Sequence, residues 1–131
     1  MQTFLTNSDF HECARVLDNK RLWKQVLEAD GLVRIIKGER DDYKYHKITK
    51  MWWNYLDALT YYRNCILTEW LKRRLDNQPK LIFNEPSIMP PWIYNEEVLS
   101  SHRAALLYKN YEWYKQFGWA EKPIINYFWA D

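Results

Sequence analysis

No proline occurs before Pro79, and glycine occurs only at positions 31, 38 and 118. Proline removes a backbone donor and clashes with the preceding turn, so a first half without it is free to build long helices. The apolar residues use that freedom. Leu22, Val26, Ala29, Val33 and Ile36 step by 4, 3, 4 and 3 along one stripe of a helix, and Gly38 follows as a left-handed cap. Gly31 falls inside the same stretch and weakens it. Before it, Ser8 or Asp9 can cap a first helix to about Leu17, and Asp18 or Asn19 can cap the second.

Residues 39–47 carry mixed charge without apolar period and read as a loop. Thr49 then caps a long third helix to about Leu75, with Met51, Tyr55, Leu59, Tyr62, Ile66 and Trp70 on one side. At 1.5 Å per residue such a spine is about 40 Å long. Residues 76–94 hold four of the five prolines and predict a wrapping loop. Asn95, followed by Glu96 and Glu97, starts a helix to about Lys109. Asn110 caps a last short helix ending at Gly118, and the aromatic tail from Trp119 to Asp131 docks in extended form. The expected fold is all-α, a single helical domain over residues 1–131.

Composition narrows the function classes. Nineteen Lys+Arg against seventeen Asp+Glu leave a net charge of +2, which excludes a polybasic tail binder. Eight Trp, ten Tyr and five Phe exclude disorder. Cys13 and Cys65 cannot make a disulfide framework, which points to a reducing cytoplasm, the host's if the chain is phage-encoded. Asn7, Ser8, Asp9, His11 and Glu12 break any apolar run at the start, and no stretch is apolar enough to span a membrane.

Two polar clusters could carry chemistry. Lys20, Arg21, Lys24 and Gln25 surround the start of the second helix, where ammonium groups and backbone N–H donors suit a phosphate. Ser101, His102 and Arg103, with Ser100 before them and Lys109 beyond, offer hydroxyls and cationic donors on the later helix. No Gly-x-Ser-x-Gly elbow or orienting acid accompanies Ser101 and His102, so a hydrolase is not indicated. The tryptophans exceed what a small core needs. Trp70, Trp113 and Trp119 read as structural, whereas Trp23, one of Trp52 and Trp53, and Trp92, together with Tyr45, read as stacking or interface surface. His11, Glu12, Cys13, His46, Cys65 and His102 fit no metal-ligand spacing, and no cofactor fingerprint is present.

Met1-Gln2-Thr3-Phe4-Leu5, Leu17-Asp18-Asn19-Lys20-Arg21-Leu22-Trp23-Lys24-Gln25 and Met51-Trp52-Trp53-Asn54-Tyr55 form one ordered set. Pro90-Pro91-Trp92, Ser101-His102-Arg103-Ala104-Ala105-Leu106-Leu107 and the aromatic tail complete it. The set resembles short bacterial and phage proteins of the pyrimidine-dimer DNA glycosylase, or endonuclease V-like, group over nearly the whole chain. The resemblance implies a small helical enzyme. Its N-terminal amine attacks the sugar of a damaged nucleotide, assisted by a glutamate near a helix start. An α-amine suits that task, since its ordinary pKa of about 7.7–8.0 leaves a neutral fraction at pH 7.

Three departures bear on this. The enzymes lose their initiator Met, whereas bulky Gln2 keeps Met1 here, so the nucleophile would be the Met1 amine. The motif alignment places Arg21 where the glutamate belongs, and a shifted alignment offers Glu12, Asp18 or Glu28 instead. The third is that a net charge of +2 is small for a protein that must grip duplex phosphates. A helical shell with phosphate donors but no catalytic pair favours a non-catalytic nucleotide binder. Such a protein would be a homo-oligomer that sequesters a cyclic di- or trinucleotide immune signal, a phage anti-defence sponge. The alternative is a DNA glycosylase/AP lyase acting on damaged DNA through the Met1 amine. A third possibility is a protein–protein adaptor using its exposed tryptophans.

Overall fold

The computed structural model describes residues 1–74 and 83–130. It contains α1 (Phe10–Val16), α2 (Asn19–Ile36), α3 (Lys47–Trp52), α4 (Leu56–Arg74), α5 (Glu96–Lys109) and α6 (Tyr111–Tyr114). Tight 3-10 turns occupy Pro91–Tyr94 and Lys115–Phe117, and no strand occurs among the described residues. The all-α expectation holds. Residues 76–82 of the expected wrapping loop, and Leu75 and Asp131, lie outside the described residues.

The helix boundaries have local causes. Asp9 caps α1 by accepting from His11 and Glu12 N–H, and Asn95 and Asn110 cap α5 and α6 in the same way. At the end of α2, Gly38 N–H bonds to Ile35 O (3.1 Å) and Glu39 N–H to Arg34 O (2.9 Å), with Gly38 at φ 82°. This pair of bonds satisfies carbonyls that a helix end otherwise leaves open. Asp18 behaves differently. It precedes α2 but makes no side-chain cap.

The Asp18 carboxylate instead accepts from Tyr114 Oη (2.6 Å), Asn110 Nδ2 (3.0 Å) and Arg21 Nη1 (3.0 Å), and Asp18 N–H donates back to Tyr114 Oη (3.1 Å). Burial works against this carboxylate, but the three donors outweigh it and hold its pKa below the usual aspartate value. The knot ties α6 to the start of α2.

The expected third helix is two helices. The apolar stripe runs in phase through residues 48–66, so the periodicity contains no sign of a break. The break comes from hydrogen bonding. In a continuous helix Tyr55 N–H would use the carbonyl of Met51, but that oxygen accepts from Trp92 Nε1 (3.2 Å), and Tyr55 turns back to Trp52 O (2.8 Å). Thr49, expected as a cap, is buried inside α3 and donates to Tyr43 O (2.6 Å). At 19 residues, α4 is about 28 Å long.

Helices α2 and α4 make the main packed pair, and α1 lies along α4. Between them stands an aromatic cluster. Phe10 meets Tyr62 edge-on at 5.5 Å, and Trp52 meets Trp92 edge-on at 4.8 Å, arrangements that add about 0.5–1.5 kcal/mol per pair beyond area burial. Trp92, expected at the surface, is thus a core residue, and of the pair from which one surface member was expected Trp52 is core and Trp53 is exposed. Trp70, Trp113 and Trp119 pack half-buried against the core, as expected. The tail after Gly118 is extended, held where Ile124 N–H meets Ala104 O (3.2 Å) and Phe128 N–H meets Ser101 Oγ (3.1 Å).

The N-terminal segment runs through this core. Residues 2–6 are buried without a strand partner, so their amides need side-chain acceptors. Gln2 N–H donates to Glu28 Oε2 (3.2 Å), Thr3 N–H to Gln2 Oε1 (3.0 Å), Phe4 N–H to Tyr62 Oη (3.1 Å) and Leu5 N–H to His102 Nδ1 (2.9 Å). An Nδ1 that accepts places the ring proton on Nε2, in the neutral form. Burial, with Arg103 nearby, pushes the His102 pKa down to about 4.

Two outcomes follow from these contacts. Tyr114→Phe strands the buried Asp18 N–H and removes one carboxylate donor, and urea denaturation should register a loss of about 1–3 kcal/mol. Unfolded His102 takes up its proton near pH 6.5 while the folded protein holds it neutral. Stability is therefore full above pH 6.5 and falls as pH drops toward 4, by up to roughly 3 kcal/mol. His102→Gln should flatten that slope in urea titrations across the same range.

Candidate functional site

One face of α2 carries the polar residues that meet the N-terminal segment. Gln25 and Glu28 lie three positions apart and so share that face. Gln25 is fully buried; its Nε2 donates to Gln2 O (2.7 Å) and Glu28 Oε2 (3.1 Å), and its Oε1 accepts from Tyr62 Oη (2.5 Å). This network orients the half-buried Glu28 carboxylate onto the Gln2 amide, one residue from the Met1 amine. Gln2 Nε2 is a buried donor with no acceptor among the described residues, a feature that native cores seldom leave unexplained.

Of the carboxylates left open by the motif alignment, only Glu28 contacts the N-terminal segment. Glu12 pairs with Arg15 at the surface (2.8 Å), and Asp18 is consumed by its knot with Tyr114, Asn110 and Arg21. Arg21 holds Asp18 and reaches Lys109 O (3.4 Å).

The cations gather beside this network. Burial, followed by the positive charges of Arg21 and Lys24, lowers the Lys109 pKa, with Lys20 adding to the effect and Glu28 opposing it. Lys20, Arg21, Lys24 and Lys109 therefore form one patch, and Glu28 lies within its field. None of its three lysines is ion-paired among the described residues. A patch that repels itself gains by holding an anion. Tyr127 of the tail packs against Phe4 (6.5 Å between ring centroids) and His102 (5.8 Å), and its pKa is raised by burial and then by Glu28.

The second predicted cluster is organised differently. His102 is buried on Leu5, and Arg103 is engaged by Thr6 O (2.9 Å), Glu121 (3.1 Å) and Glu96. Ser101 Oγ donates to Val98 O (2.8 Å) and accepts from the tail at Phe128. These three residues fasten the N-terminal segment and the tail instead of facing solvent as phosphate donors. Gln25 is likewise interior. Only Lys20, Lys24 and Lys109, with Arg21 behind them, remain as an exposed set.

The aromatic candidates divide. Trp23, Trp53 and Tyr45 are exposed, and Trp23 lies on Trp70 at 4.9 Å between centroids, with Arg74 5.1 Å from the Trp70 ring. Cys13 and Cys65 are buried, and burial pushes each thiol up to about 12, so neither is a thiolate near neutral pH. Among the described residues no three His, Cys, Asp or Glu side chains converge as metal ligands. No described helix is long and apolar enough to cross a membrane.

Sequence reasoning passed over Tyr62, Gly31 and Arg40, which all border this site. Tyr62 looked like any member of an apolar stripe, and its hydroxyl contact lies 58 residues away in the chain. The polar Gln25-x-x-Glu28 pair beside an apolar stripe was the available signal. A model of the pyrimidine dimer DNA glycosylase family matches residues 1–83, the stretch that contains the N-terminal segment, Gln25, Glu28 and Tyr62. No curated protein and no solved structure matches the chain. With more than half its length matched, the chain belongs to the pyrimidine dimer DNA glycosylase family.

Proposed function

We propose that this protein is a DNA glycosylase/AP lyase acting on damaged DNA through the Met1 α-amine, with Glu28 as its catalytic carboxylate. The observation that carries the reading is the Glu28 contact to the Gln2 amide (3.2 Å), which fixes a carboxylate beside the N-terminus. The neutral amine attacks C1′ of the damaged nucleotide, and the glycosidic C–N bond breaks with its electron pair leaving on the base. Glu28 stabilises the positive charge that develops on the sugar and accepts the proton released by the amine. The amine lone pair then forms the C1′=N bond as the C1′–O4′ bond breaks and O4′ takes the proton back from Glu28. This ring-opened imine makes the C2′ proton acidic, and its removal expels the 3′ phosphate by β-elimination.

Lys20, Lys24 and Lys109 supply phosphate contacts, so the small net charge of +2 conceals a concentrated patch. The reading as a cyclic-nucleotide binder drew further donors from Gln25, His102 and Arg103, whose polar atoms are occupied inside the fold. The lysines that remain suit any nucleic-acid phosphate, and the Glu28 arrangement favours the amine chemistry.

Borohydride reduction during incubation with duplexes carrying an abasic site or a pyrimidine dimer should yield a covalent protein–DNA adduct. Glu28→Gln should slow turnover by roughly 10²–10⁴-fold while leaving duplex affinity within about threefold, and acetylation of the amine should abolish the adduct. Folded wild-type protein that yields no adduct with either duplex overturns the proposal, and cyclic dinucleotide binding without adduct would favour the sequestration reading.

A further inference from the structure

Gly31 lies buried in the middle of α2, where glycine is the least favourable residue after proline. Its backbone does not require glycine, because only Gly38 and Gly118 among the glycines have positive φ. The requirement comes from a neighbour. A Cβ on Gly31 would stand 2.7 Å from Arg40 Nη1 and 3.5 Å from Met1 Cε. The missing side chain is the space in which the Arg40 guanidinium lies against α2. That places Arg40 beside Met1 and one helical turn from Glu28.

The loop that delivers Arg40 is fastened at both ends. Gly38 closes α2 at its start, and Tyr43, at φ 58°, gives its carbonyl to Thr49 Oγ1 (2.6 Å) near its end. Arg40 also pairs with Asp42, through Nε to Oδ1 (2.9 Å) and through Nη2. Both partners of that pair are substantially exposed, and exposed pairs contribute little stability. A helix-weakening glycine is poorly explained by so weak a bond. It is well explained by a guanidinium held beside Met1 to meet a polyanionic ligand.

We infer that Arg40 is a positioning residue. Its guanidinium binds the phosphodiester flanking the attacked sugar and so holds C1′ at the Met1 amine, and Gly31 exists to let it lie there. The inference deepens the amine-lyase reading and rests on it for the identity of the sugar, but the phosphate contact can be measured alone.

The experiment is fluorescence anisotropy with a duplex containing a tetrahydrofuran abasic analogue, which cannot form an imine. It is run over a salt series for wild type, Gly31→Ala, Arg40→Gln and the double variant. Gly31→Ala should weaken binding about tenfold and lower the salt slope by about one, while its melting temperature stays unchanged or rises. The added methyl meets only the ends of two flexible side chains, crowding Arg40 and touching Met1 at ordinary contact distance, and improves helix propensity, so folding should survive. Arg40→Gln should match it, and the double variant should be no weaker than either single one. Absence of wild-type binding, unchanged affinity in Gly31→Ala, or losses that add in the double variant would overturn the inference. Because the analogue forms no imine, wild type that binds as described but fails borohydride trapping on an abasic duplex sinks the amine reading and not the phosphate contact.

Discussion

The structure depends on one constraint: a buried, extended N-terminal segment in an all-helical protein has no sheet to take its amides. Residues 2–5 meet it with acceptors from three places, Glu28 of α2, Tyr62 of α4 and His102 of α5, plus the side chain of Gln2 itself. An unsatisfied buried amide costs about 1–3 kcal/mol, so these acceptors are obligatory. Each must stay in its accepting form. That is why His102 is held neutral, and why Gln25 is locked between Tyr62 and the Gln2 carbonyl. The same bonds that bury the segment aim a carboxylate at the chain's first residues, so the packing solution and the candidate chemistry share their atoms.

The charges divide between those bonded inside the fold and those left at the surface. Arg103 gathers Thr6, Glu96 and Glu121, and Arg73 donates to Leu17 O (2.7 Å) and Arg15 O (3.0 Å). These arginines join segments far apart in sequence, a task suited to a planar, multidentate donor. Lysines 20, 24 and 109 are compact charges on flexible stems and stay at the surface beside Glu28. Counting Lys and Arg together obscured this division, because a balanced total of charges says nothing about which are spent internally.

Much of the fold was legible because its signals are local. Asp9, Asn95 and Asn110 cap through neighbours two or three residues away, and Gly38 ends α2 through its own backbone. The break between α3 and α4 was not legible, because it depends on the Trp92 indole reaching the Met51 carbonyl across 41 residues. The same holds for the site. Lys20, Arg21 and Lys24 were visible as a cluster on one helix, and Lys109 joined them only through the fold. His102 and Arg103 looked like ligands because nothing in their neighbourhood shows that Leu5, Thr6 and Glu121 would claim them. A single sequence displays the donors; which donors are already bonded is a property of the tertiary structure.

The central claim is that this packing serves a reaction at the first amine of the chain. Tandem mass spectrometry of the proteolysed, borohydride-reduced adduct tests it most directly, because it locates the modified nitrogen. The account predicts the deoxyribose remnant on the Met1 α-amine, in the peptide containing Met1-Gln2-Thr3. A remnant on Lys24 or Lys109, with the Met1 amine unmodified, would contradict it.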